Sequence, residues 1–65
     1  MALKDETKVV VHQLIGPLNA AKVDNLDESD PQAFLDQSKE LISALLGDTV
    51  AQAKLQPLYD KYVKK

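Results

Sequence analysis

The clearest pattern in the chain is an apolar stripe with helical spacing in its middle third. Before it, Ser29 or Asp30 can accept hydrogen bonds from first-turn amides, and Pro31 is tolerated at the first helical position. After it, Gly47 is the residue type that most often ends a helix. The pattern predicts a helix that begins at Ser29-Asp30-Pro31-Gln32 and ends at Gly47. Its stripe, which we expect to be buried, contains Phe34, Leu35, Leu41, Ile42, Leu45 and Leu46, with Ser38 among them.

A second helix is predicted directly after a very short turn at Gly47. Asp48 or Thr49 can cap it, and a glutamine three residues after Thr49 completes the pattern of a capping box. Pro57 lacks a backbone N–H and should kink or split this helix. The expected buried stripe consists of Ala51, Leu55, Leu58 and Tyr62, flanked by Val50, Tyr59 and Val63.

The N-terminal third is open to two interpretations. Residues 8–15 include three consecutive valines, which favour a strand, but they also fit a helix. We favour the helix because a single strand would have no partner in this chain. Gly16 and Pro17 should interrupt it and begin another short helical stretch. The apolar stripe of this region comprises Val10, Val11, Leu14, Leu18 and Ala21.

These elements predict an all-α fold. We expect a small three-helix bundle, with a possible fourth short helix after Gly16-Pro17, in a single domain spanning residues 1–65. An acidic linker at about residues 24–30 separates the first helical part from the second.

Composition limits how such a small domain can be stabilised. The chain has 65 residues, no cysteine and one histidine, so disulfides and thiolate metal sites do not contribute. Either its helices pack very well or the chain associates. The N-terminus lacks the pattern of a signal peptide, and no apolar run approaches the roughly 20 residues of a membrane span. We expect a cytoplasmic protein.

Candidate chemistry is sparse. His12 is the only ordinary neutral-pH base, and no nucleophile lies within a helical turn of it. Gly16 and Gly47 are isolated, so no phosphate-binding loop is indicated. A calcium-loop frame that begins at Asp24 places Leu26 at a ligand position and fails. We therefore expect no enzymatic activity, small-molecule substrate, cofactor or metal.

Nucleic-acid binding is not expected either. The net charge is −2, all eight basic residues are lysine, and only Lys61, Lys64 and Lys65 cluster. One alternative stays open. A strand at residues 8–14 followed by two helices joined at Gly47 resembles the ribbon-helix-helix dimers, which place a paired strand in the DNA major groove. The long linker between strand and helix departs from that family.

The apolar surface remains as the feature that indicates function. The stripe of the helix that ends at Gly47 is wide enough to meet two neighbours, of which one can be another protein or a second copy. Tyr59, Tyr62 and Val63 are the candidate interaction residues, because tyrosine offers buried area with a polar tip. We expect a non-enzymatic protein-interaction or regulatory domain that binds a protein partner or forms a homodimer.

Two other functions are kept as alternatives. One is the ribbon-helix-helix-like DNA-binding dimer described above. The other follows from size and class alone: the chain is similar in both to the small helical immunity proteins that protect bacteria from their own peptide toxins. Such a protein would bind a peptide toxin or its receptor.

Overall fold

Four helices account for most of the chain in a computed structural model that describes residues 2–64; Lys65, predicted to join a basic cluster, lies outside this range. The helices are α1 (Leu3–Ile15), α2 (Pro17–Asp24), α3 (Pro31–Leu46) and α4 (Asp48–Tyr62). No strand occurs among the described residues, which confirms the all-α prediction and the short helix after Gly16. Residues 8–14 lie within α1, so the strand interpretation is wrong.

The start of α3 has the predicted side-chain cap. The Asp30 carboxylate accepts hydrogen bonds from the backbone N–H of Gln32 at 3.1 Å and of Ala33 at 3.4 Å, and Pro31 is the first helical residue. Two of the amide donors that a helix start leaves unpaired are thereby satisfied. Of the two residues expected to cap α3, Asp30 rather than Ser29 is the N-cap residue.

Single glycines join the helices within each pair. Gly16 (φ 93°, ψ 172°) connects α1 to α2, and Gly47 (φ 94°, ψ 158°) connects α3 to α4. Each glycine N–H donates to the carbonyl four residues earlier, and each glycine carbonyl accepts from the amide four residues later. Positive φ combined with extended ψ is a conformation that glycine alone adopts readily. One residue therefore ends one helix and begins the next.

The expected cap of α4 is wrong. Gly47 occupies the N-cap position and α4 begins at Asp48 itself, and no side chain in the described part of the chain caps its first turn. Asp48 instead accepts a hydrogen bond from the Ser43 hydroxyl, across the glycine corner. Pro57 lies inside α4 without splitting it.

The four helices pack as two pairs that are connected through α1. The closest packing is within the pairs, α1 on α2 and α3 on α4, and α1 also packs against both α3 and α4. Helix α2 therefore lies at the margin of the bundle, and its main neighbour is α1. The core is built from one face of each helix and consists of Leu3, Thr7, Val11, Ala20, Val23, Phe34, Leu35, Ser38, Ile42, Ala51, Leu55, Leu58 and Tyr59.

Two of these core residues are polar. The Thr7 hydroxyl donates to the Leu3 carbonyl at 2.8 Å, and the Ser38 hydroxyl donates to the Phe34 carbonyl at 3.0 Å. Each bond stays within its own helix turn, so neither hydroxyl needs a partner on another helix. These bonds remove the cost of burying an unsatisfied polar group.

The predicted N-terminal stripe is wrong beyond Gly16. Leu18 is 81% exposed and Ala21 is exposed, whereas α2 buries Ala20 and Val23. The stripe assumed one continuous helical phase from residue 10 to residue 21. Because Gly16 leaves the helical conformation, the phase restarts at Pro17 and different positions of α2 face the core.

The end of the α3 stripe also departs from expectation. Phe34, Leu35 and Ile42 are fully buried, but Leu45 is 60% exposed and Leu46 is 41% exposed. Leu45 follows Ile42 by three residues and therefore lies on the same face of α3. Its exposure arises because, within residues 2–64, no helix covers the last turn of α3 on that face.

Truncating Ile42 and Leu45 to alanine should have very different effects on stability. We expect Ile42→Ala to lower the free energy of unfolding by about 2–5 kcal/mol, because it opens a cavity in the core. Leu45→Ala should cost less than about 1 kcal/mol, because most of the side chain is already in water. Urea titration at low micromolar protein measures both. Equal losses at the two positions, independent of protein concentration, would contradict the assigned burial.

Candidate interaction surface

Tyr59, the first candidate interaction residue, lies inside the fold. Its side chain is 7% exposed, and its hydroxyl donates to Oδ1 of Asp36 at 2.5 Å. This bond joins α4 to α3. Burial, and then the nearby Asp36 carboxylate, raise the pKa of Tyr59, while the donated hydrogen bond lowers the pKa of Asp36.

Tyr62 joins α4 to α1. The side chain is half-buried, and its hydroxyl donates to the Glu6 carboxylate. The Lys61 ammonium donates to the same carboxylate at 3.0 and 3.1 Å and lies 5.3 Å from the centre of the Tyr62 ring. The Tyr62 hydrogen bond and, after it, the Lys61 hydrogen bond lower the pKa of Glu6. The pKa values of Tyr62 and Lys61 are both raised, mainly by their hydrogen bonds to Glu6.

Val63, the third candidate, follows α4 directly and is half-buried against the core. All three candidate residues thus take part in holding the helices together, and the two tyrosines do so through carboxylates on α3 and α1. Contact of these residues with another protein stays a prediction.

A different surface, which sequence reasoning did not single out, is open to a partner. It is a groove of about 640 Å³ between α2 and α3, called here the α2–α3 groove. Asn19, Lys22 and Leu26 line it on the α2 side, and Gln37, Glu40, Leu41, Ala44 and Leu45 line it on the α3 side.

The groove combines apolar side chains with two opposite charges. Leu26 and Leu41 are half-buried and pack against the core, while Leu45 is mostly exposed. Lys22 stands on the α2 side and Glu40 on the α3 side. The width of the α3 stripe was the available signal in the sequence. What it did not show is that α2 leaves this part of the stripe open.

His12, the only histidine of the sequence and its only ordinary neutral-pH base, is exposed near the end of α1. Among residues 2–64, no three His, Asp or Glu side chains lie close enough together to hold a metal ion. None of the helices in that range has the length and apolar character needed to cross a membrane.

Comparison with known proteins gives no relative: no protein-family model, curated protein or solved structure matches the chain.

The two tyrosine–carboxylate contacts should make the protein acid-sensitive. The folded-state pKa values of Glu6 and Asp36 lie below their ordinary values of 4.5 and 3.8. Their contribution to stability is therefore present above those values and is lost as the pH falls through the lowered pKa values. We expect the urea midpoint to fall between pH 6 and pH 2.5, and to fall less in the double variant Glu6→Gln/Asp36→Asn.

Asp5→Asn is the matched control for this pH dependence. Asp5 is exposed and shares the first turn of α1 with Glu6, so both carboxylates experience the same helix dipole. The control should retain the acid sensitivity of the unaltered chain. If the double variant and the control showed the same pH profile as the unaltered chain, the tyrosine contacts would not be its cause.

Proposed function

We propose that the chain is a non-enzymatic protein-interaction domain and that the α2–α3 groove is its binding surface. The observation that carries the proposal is the exposure of Leu45 on the core-facing side of α3. A leucine in this position is placed to be covered, and nothing within residues 2–64 covers it. Isolated exposed leucines are ordinary, but Leu45 adjoins the half-buried Leu26 and Leu41 in one concave surface.

The lining of the groove supports binding rather than catalysis. Apart from one lysine and one glutamate, the residues that line it carry aliphatic or amide side chains. Such a surface buries apolar area and orients a partner through a few polar groups, as helical binding grooves do. Among residues 2–64, none that lines the groove carries a hydroxyl or an imidazole that could serve as a nucleophile or a neutral-pH base. We further propose a cytoplasmic location, which the absence of cysteine from the sequence supports.

Site-specific photo-crosslinking tests this proposal. A photoreactive amino acid at position 45 should form protein crosslinks in cells of the source organism, and the same group at position 54 should form few. Lys54 is the matched control because it is exposed on α4, away from the groove. Equal yields at the two positions, or none at position 45, would contradict the groove as a binding surface.

Binding to duplex DNA should be weak and unspecific. Residues 8–14, which would form the paired strand of a ribbon-helix-helix dimer, are part of α1. With a net charge of −2, the protein would release few counterions from DNA on binding. A fluorescence-anisotropy titration at about 50 and 200 mM salt measures this over the range in which phosphate contacts are evident. Tight binding that weakens steeply with salt would overturn the protein-interaction proposal in favour of DNA binding.

A further inference from the structure

We infer that the partner in the α2–α3 groove is a second copy of this chain, bound in a two-fold symmetric dimer. This inference rests on the proposed function and names the partner of the same surface.

The two charges of the groove are complementary to themselves. Lys22 and Glu40 lie on opposite walls, and within residues 2–64 neither has an ion-pair partner; the ion pairs found there are Lys8–Asp24 and Lys61–Glu6. A two-fold axis that runs along the groove places α2 of each copy opposite α3 of the other. Lys22 of one copy then faces Glu40 of the other, and this contact occurs twice.

The groove offers less to a strongly charged partner. Its one positive and one negative side chain cancel, so an acidic or a basic segment would meet one favourable and one unfavourable charge. In a two-fold symmetric dimer, Lys22 of each copy meets Glu40 of the other, so both contacts are between opposite charges.

The exposed leucines indicate that the occupant is broad. Among residues 2–64, Leu18 is the most exposed large apolar side chain, and it lies one turn before Lys22 on α2, outside the groove lining. A single peptide helix in the groove would reach its floor and leave Leu18 in water. A second copy, whose α3 lies against α2, covers Leu18 and Leu45 together.

The size of the molecule is compatible with such an interface. A standard interface buries about 800 Å² per partner, which is about a fifth of the 3942 Å² surface of this chain. An interface of that size takes up the whole of the largest face, 28 × 23 Å, of the molecule. A chain of 65 residues without disulfides also gains stability from additional burial.

Charge reversal tests the inference. Analytical ultracentrifugation from low micromolar to high micromolar protein should show a concentration-dependent dimer. Lys22→Glu alone places two glutamate pairs in the interface, and Glu40→Lys alone places two lysine pairs there. Each should raise the dimer Kd by about tenfold or more. An equimolar mixture of the two variants should form a heterodimer again, because both crossed contacts are then between opposite charges.

Two controls accompany the reversal. Lys54→Glu on the exposed face of α4 changes the net charge by the same amount and sign as Lys22→Glu, and it should leave the dimer intact. Leu45→Ser should weaken the dimer without altering the charge. Circular dichroism checks that each variant is folded, which is expected because all the changed side chains are exposed.

The outcomes separate this inference from the proposed function. A monomer at every concentration, with position 45 crosslinked to a different protein, would overturn the dimer and leave the proposed function standing. A dimer whose Kd is unchanged by the charge reversals and by Leu45→Ser would use another face, and this result would also overturn the inferred dimer. If the chain neither self-associates nor forms crosslinks at position 45, both the inferred dimer and the proposed function are overturned.

Discussion

The packing of α1 against the other three helices is the contact on which the fold depends. Its buried residues Leu3, Thr7 and Val11 follow one another at four-residue intervals and form one continuous edge. Helix α1 connects its own partner α2 to the α3–α4 pair, since α2 packs mainly on α1 and both α3 and α4 contact it. Polar contacts reinforce the arrangement at its margin, where the Lys8 ammonium lies 2.8 Å from the Asp24 carboxylate. Because α2 is held from the α1 side, its other side is left open toward α3, and the groove is the result.

How much the sequence could predict depended on whether the deciding information was local. The start of α3 at Asp30 and the burial of Phe34 and Ile42 follow from capping chemistry and helical spacing, and both were predictable. The exposure of Leu45 was not, because it depends on how far a different helix reaches. The contacts of the tyrosines were equally hidden, since Tyr62 meets a glutamate 56 positions earlier in the chain. Leu18 is the exception: its exposure follows from the restart of helical phase at Gly16, which is local, whereas the predicted stripe carries one phase through that glycine.

The surface of the molecule is divided between two kinds of interaction. Along the outer side of the α3–α4 pair, polar side chains bond to one another: Lys39 donates to Gln52 at 3.1 Å, and Gln56 donates to Asp60 at 2.9 Å. Groups already paired in this way gain little from a partner, since new bonds would replace existing ones. The groove has the opposite character, with apolar side chains in water and two charges that have no ion pair within the described part of the chain. The α2–α3 groove is therefore a side of the molecule on which the proposed partner adds contacts without replacing ion pairs of the described residues.

The glycine corner at residue 16 has a mechanical consequence. Helix α2 has eight residues, so it extends about 12 Å from that corner. A rotation of about 10° at Gly16 would displace its far end by about 2 Å. The Lys8–Asp24 ion pair holds that end on α1, and the buried side chains of Ala20 and Val23 hold the helix on the core. The width of the groove is thus set jointly by the torsion angles of Gly16, which does not line it, and by the contacts that hold α2 in place.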